Sequence, residues 1–155
     1  SDAGNVEEDQ IGADAITAAI ADGRAAERFG TMIAAMGGPV QFVESWPRFL
    51  PEATVIREVA APATGYVTAI DGEALGMAVV DLGGGRKVEG ATLNLAVGLS
   101  DLLRSGDKVT RGQPMAVVHA ARASDADRAE TALRAAVTIA ASPVAPPELI
   151  LDRIG

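Results

Sequence analysis

The run Gly83–Lys87 (GGGRK) offers the sharpest ligand chemistry in this sequence. Consecutive glycines can present backbone N–H groups to an anion, and Arg86 and Lys87 would add positive charge. The spacing fits neither the Walker nor the dinucleotide pattern, and the run follows a predicted helix instead of opening one. Two readings therefore stand. One is a helix cap running into a structural loop; the other is a cleft lid or anion contact formed by Gly84, Gly85, Arg86 and Lys87. His119, the single histidine, alternates with Met115 and Val117 along a predicted strand, which reads as a packed core residue. As a general base it would need an orienting carboxylate, and the sequence assigns none. Glu7, Glu8 and Asp9 read as a solvated run, and Asp125 and Asp127 as helix capping. No serine sits in a nucleophile elbow, so no catalytic, substrate-binding or metal residue is named.

Composition narrows the classes further. With no cysteine, disulfides, a thiol nucleophile and cysteine zinc sites are excluded, and one histidine removes sites built on two. No cofactor is implied. Against 13 Lys+Arg stand 21 Asp+Glu, a net charge of -8, which argues against a nucleic-acid partner. The longest uncharged stretch, Phe29 to Val43, contains Gly37, Gly38 and Pro39 and falls short of the about 20 apolar residues that span a membrane. At 155 residues, 48% of them hydrophobic, the chain can bury one sizeable core, although aromatics are only 3% and anchors for a ligand pocket are few. It opens SDAGN with no Met before Met32, which reads as a portion of a longer protein.

Periodicity sets out the elements that would position these residues. Ile16 and Ile20 mark a first helix stopped at Gly23. Ala25, Phe29, Met32, Ile33 and Met36 form the apolar stripe of a second, ended by Gly37, Gly38 and Pro39. An irregular connector is expected over 41–51. Strand grammar begins at 53–60 and 64–70, and Asp71 is placed to cap a helix bearing Leu75, Ala78, Val79 and Leu82. Further strands are expected at 92–97, 108–110 and 114–120. Ser124 and Asp127 have capping-box spacing before a helix with Ala129, Leu133, Ala136, Val137 and Ala140 buried, stopped by Pro143, Pro146 and Pro147. The tail 148–154 is expected to add an edge strand or pack down. The fold class is α+β: a helical segment over 1–50, then a second domain over 51–155.

GDKVTRGQPMAVVHA (106–120) and TGYV (64–67) use wording similar to biotinyl and lipoyl carrier domains. A carrier needs a lysine at the tip of the following hairpin. Here that stretch reads VVHAARASD, and the only lysines are Lys87 and Lys108. The shape is shared and the swinging arm is absent.

AAERFGTMIAAMGGPVQFVE (25–44), TGYVTAIDGEALGMAVVDLGGGR (64–86), AVGLSDLLRSGDKVTRGQPMAVVHA (96–120) and PPELILDRI (146–154) together resemble the C-terminal third of the thymidine phosphorylase family. The ordered series covers about residues 12–155, and ALGMAVVDLGGGR is its most distinctive block. The resemblance implies a β-hammerhead related to barrel-sandwich hybrids, with two helices, behind the N-terminal helix pair. It implies a homodimeric, cytoplasmic parent in which phosphate attacks C1′ of thymidine, giving thymine and 2-deoxyribose 1-phosphate. The family's Lys-His-Ser phosphate loop and its pyrimidine-holding Arg, Ser and Lys lie upstream. No matching motif occurs here, so no catalytic residue is carried over and the chain alone is expected to be inactive. Its partner would be the remainder of its own parent chain, and phosphate and pyrimidine nucleoside would bind only the full protein. Residues 83–91 would then be a loop ordered when the full enzyme closes. Two alternatives remain: a free-standing carrier-like or interaction domain, and a nucleoside monophosphate phosphorylase of the same fold.

Overall fold

Alanine-rich sequence makes the first helices, and glycine stops them. In a computed structural model that describes residues 2–146, 148, 150 and 152, α1 spans Asp2–Ala21 and α2 spans Arg24–Ala35. The break between them is Gly23, at φ 87°. Asp22 accepts from the Arg24 backbone N–H at 3.1 Å, satisfying one of the donors orphaned at the start of α2. The far end of α2 closes as a Schellman turn, Gly37 N–H donating to Ala34 O and Gly38 N–H to Ile33 O. The expected irregular connector is instead largely helical, with α3 at Phe42–Ser45 and a 3₁₀ turn at Trp46–Arg48. Phe42 stitches it, edge-on to Phe29 at 6.0 Å and stacked on Phe49 at 6.3 Å. Ser1–Pro51 forms one compact unit and Glu52–Gly155 another. Over residues 10–51 none is buried, so the stripe of α2 has helical period while its side chains stay at least partly exposed.

The second unit runs β1 (Val55–Ala60), β2 (Gly65–Ile70), α4 (Gly72–Leu82), β3 (Gly98–Ser100), β4 (Lys108–Val109), β5 (Pro114–Ala120), α5 (Ala123–Ala136) and β6 (Val137–Ala140). The strands make two antiparallel three-stranded sheets, β1–β5–β3 and β4–β2–β6. This is an α+β unit whose sheets are not closed into a barrel. Its core gathers Val59, Val109, Met115, Val118, Leu82 and Leu133 with a floor of alanines. Asp71 caps α4 as expected, accepting from Ala74 N–H at 2.9 Å.

Four expectations are corrected. The strand over 92–97 does not form, because Asn94 folds the chain into an Asx turn, its Oδ1 accepting from Ala96 N–H at 3.0 Å. Pairing starts only at Gly98. Ser124 is inside α5, whose N-cap is Arg122, so the Ser124–Asp127 box is not the cap. Asp125 is instead 5% exposed and held by Arg122 and Arg128, while Asp127 pairs with Arg57. Helix α5 ends at Ala136 rather than running to Ala140: the β-branched run Val137, Thr138, Ile139 switches straight into β6 and pairs with β2. Pro143 and Pro146 thus follow a strand, and Pro147 lies outside the described residues. Of the tail 148–154, residues 148, 150 and 152 are described and carry no strand; the rest lies outside the described residues.

The sheet of β1, β5 and β3 is tied to α5 by charge as well as by apolar packing. Arg57 points inward from β1 and reaches Asp127 at 2.5 Å and Glu130 at 3.4 Å. Arg134 bonds Glu130 and donates from Nη1 to Ala60 O. An inward-pointing arginine also discourages β1 from pairing along its outer edge.

Candidate functional site

The glycine run sits where α4 ends. Gly83, at φ 100°, donates its N–H to Val80 O, and Gly84 donates to Val79 O, a second Schellman closure. Those two N–H groups are therefore spoken for by the helix. Gly84 and Gly85 answer a packing demand. A Cβ on Gly84 would stand 2.9 Å from Val79 Cγ1, and one on Gly85 2.5 Å from Val80 Cγ2. Asn94 N–H donates back to Gly83 O at 2.9 Å, so residues 84–93 form an Ω-loop with a closed base. Its tip, 86–90, is exposed. Lys87 Nζ reaches back to Asp81 Oδ1 at 2.6 Å, both side chains more than half exposed, while Arg86 has no ion-pair partner among the described residues.

His119 is not in the core. A bulge between Val59 and Ala60 shifts the register, so Met115 and Ala116 are both buried and the alternation beyond them inverts. Ala116, Val118 and Ala120 face the core; Val117 and His119 lie half-buried on the opposite face. There His119 Nε2 meets Ser100 Oγ at 2.9 Å, and Ser100 Oγ–H donates to Asp101 Oδ2 at 3.0 Å. Sequence reasoning missed Ser100 and Asp101, because only the β3–β5 register brings them to a histidine nineteen residues away. The order of groups is histidine, serine, carboxylate. The carboxylate polarises the hydroxyl and does not orient the imidazole, so this is not a nucleophilic relay.

A third charged group lines the seam of α4 and α5, where Asp81, Asp125 and Arg128 border a cleft of about 30 Å³. Arg122 Nε bonds Asp125 Oδ2 at 2.9 Å and Arg128 Nη2 bonds Oδ1 at 2.7 Å. The bond from Arg122, reinforced by Arg128, holds the Asp125 carboxyl below the usual carboxylate range against the opposing effect of burial. Arg134, with Arg57, does the same for Glu130, and Lys87 for Asp81. The stabilisation these lowered values represent is complete above the unfolded-state pKa, about 4. It is lost as pH falls through the folded-state values. Urea melts should give a constant stability from neutral pH to about 5 and a decline below about 4. Asp125→Asn should lower stability at neutral pH and flatten that acid limb; an unchanged limb would remove Asp125 from its cause.

A family model described as pyrimidine nucleoside phosphorylase C-terminal domain matches residues 66–140. Residues 66–140 form a pyrimidine nucleoside phosphorylase C-terminal domain. The matched span opens in β2 and closes with the last residue of β6. The phosphorylase domain thereby contains α4, the glycine loop, the Ser100–His119 contact and all of α5. Among the described residues it holds no cluster of His, Cys, Asp or Glu able to bind a metal, and no helix is long and apolar enough to cross a membrane.

Proposed function

We propose that this chain is the C-terminal scaffold of a thymidine phosphorylase, a pentosyltransferase that converts thymidine and phosphate to thymine and 2-deoxyribose 1-phosphate. The family match over 66–140 carries the reading. The thymidine preference rests on the wording of 64–86 and 96–120, which lies closer to thymidine phosphorylases than to the broader pyrimidine nucleoside group. In this reading 1–50 belongs to the parent's α/β domain, 51–155 is the C-terminal domain with a β-hammerhead, and the parent is a cytoplasmic homodimer. The hydrogen bond Gly106 N–H to Val67 O and the pairing of Gly65 with Val109, which join the carrier-like segments, support the hammerhead description. Phosphorolysis needs a phosphate held in line with C1′ and donors for the departing base. The residues that would do this belong to motifs absent from this sequence, and the one histidine is engaged with Ser100. The glycine loop, with Gly84 and Gly85 at its base and Arg86 and Lys87 in its tip, is the part of this domain proposed to cover the cleft, Arg86 being the cation offered to an anion.

The test is thymine release from thymidine and phosphate. The 155-residue chain should give no turnover above a mock preparation. The full-length polypeptide should turn over and should prefer thymidine to uridine. Turnover by the chain alone overturns the scaffold role, and a uridine preference overturns the thymidine assignment.

A further inference from the structure

The polar trio beside β3 lies outside the glycine run and outside anything phosphorolysis requires. Strand β3 has three residues, paired Gly98 with His119, Leu99 with Val118 and Ser100 with Val117. So short an edge strand has few ladder bonds to keep it in place, yet it is where the chain returns to the sheet after the Ω-loop. We propose that Ser100, Asp101 and His119 form a side-chain clasp that locks β3 in register on β5 and so fixes the downstream end of the loop.

Three observations carry this. Ser100 lies on the same face of the sheet as His119, one diagonal step away, and a one-residue slip would turn its hydroxyl to the core face and break the contact. The clasp therefore reads register. Asp101 is the only non-glycine described at positive φ, 52°, a conformation that bends the chain so that its carboxylate meets the preceding hydroxyl. Ser100 has one hydroxyl proton, which goes to Asp101, so His119 Nε2–H is the donor to Ser100 Oγ. The half-buried position of Ser100 and His119 shields the bond between them, whereas the Ser100–Asp101 bond, like the Lys87–Asp81 pair at the tip side, is open to solvent. With the Schellman closure and the Asn94–Gly83 bond at the base, motion is confined to the tip, 86–90.

Hydrogen exchange on the full 155-residue chain tests the clasp independently of any catalytic role. Ser100→Ala and His119→Leu should each speed exchange of the amides over 91–100 by about tenfold, with β2 and β6 amides unchanged. His119→Gln, whose side-chain amide can still donate to Oγ, should stay within about twofold of the wild type. Wild-type exchange in Ser100→Ala overturns the proposal. So does an increase spread equally over β2 and β6, or a His119→Gln chain as loose as His119→Leu.

Discussion

Leu133→Ala should cost the second unit about 3–5 kcal/mol, the upper part of the range for a buried leucine. Leu133 is fully buried on α5, and about half of the buried cluster it belongs to is already small: Ala61, Ala116, Ala120, Ala126 and Ala129 have no longer rotamer to swing into a void. A site that cannot collapse keeps its cavity, and the lost contacts add to the lost transfer energy. Against a total of about 5–15 kcal/mol for an ordinary domain, the change is large. Leu133→Met, which conserves volume, should cost less than about 1.5 kcal/mol. Urea unfolding followed by far-UV circular dichroism measures both, with Tyr66 as a local probe of β2 and Trp46 as a separate probe of the first unit. A loss below about 1 kcal/mol for Leu133→Ala would mean that the alanine floor relaxes to fill the space.

The elements that sequence grammar located well are those whose signals are local. The Asp71 cap and the glycine stops at Gly23, Gly37 and Gly83 each depend on a few neighbouring residues. What stayed hidden depends on partners distant in sequence. Val137–Ala140 continues the apolar pattern of α5, and only the presence of β2 alongside turns it into a strand. His119 lies on the face opposite to the one its alternation predicts because the bulge opposite Val59 and Ala60 shifts the period, and a bulge leaves no mark in an alternation read on one strand. Asp125 looked like a cap for the same reason: its burial between Arg122 and Arg128 is set by the packing of α5.

The candidate site shows the same division. Gly84 and Gly85 read in the sequence as part of a structural loop or a cleft lid, yet both are pressed against the last turn of α4. Substituting alanine there would displace the loop by collision and would say little about its mobility. Removing the ion pair of Lys87 with Asp81 is the cleaner probe, because both side chains are exposed and their loss leaves the base of the loop intact.

Glycine to alanine should have opposite signs at two positions of the same domain, and the contrast separates close approach from chain flexibility. Gly65 is buried at the start of β2, where β6 crosses so near that a Cβ would overlap Ala140 O and lie 2.9 Å from Ile139 Cγ2. A backbone carbonyl cannot rotate away as a side chain can. Gly65→Ala must therefore push β6 off β2, breaking the pairs Tyr66 with Ala140 and Val67 with Ile139. The expected loss is about 1–3 kcal/mol, the usual cost of overpacking, concentrated in the exchange protection of β6. Gly76 lies mid-helix in α4 with nothing within 4 Å of its would-be Cβ. Gly76→Ala should stabilise by about 0.5–1 kcal/mol, because alanine loses less backbone entropy in a helix. Urea midpoints moving in opposite directions bear out both arguments. If both variants lose stability, Gly76 carries a contact that its surroundings do not show. If both gain, β6 yields at Ala140, and the switch from α5 to β6 is softer than its continuous pairing with β2 implies.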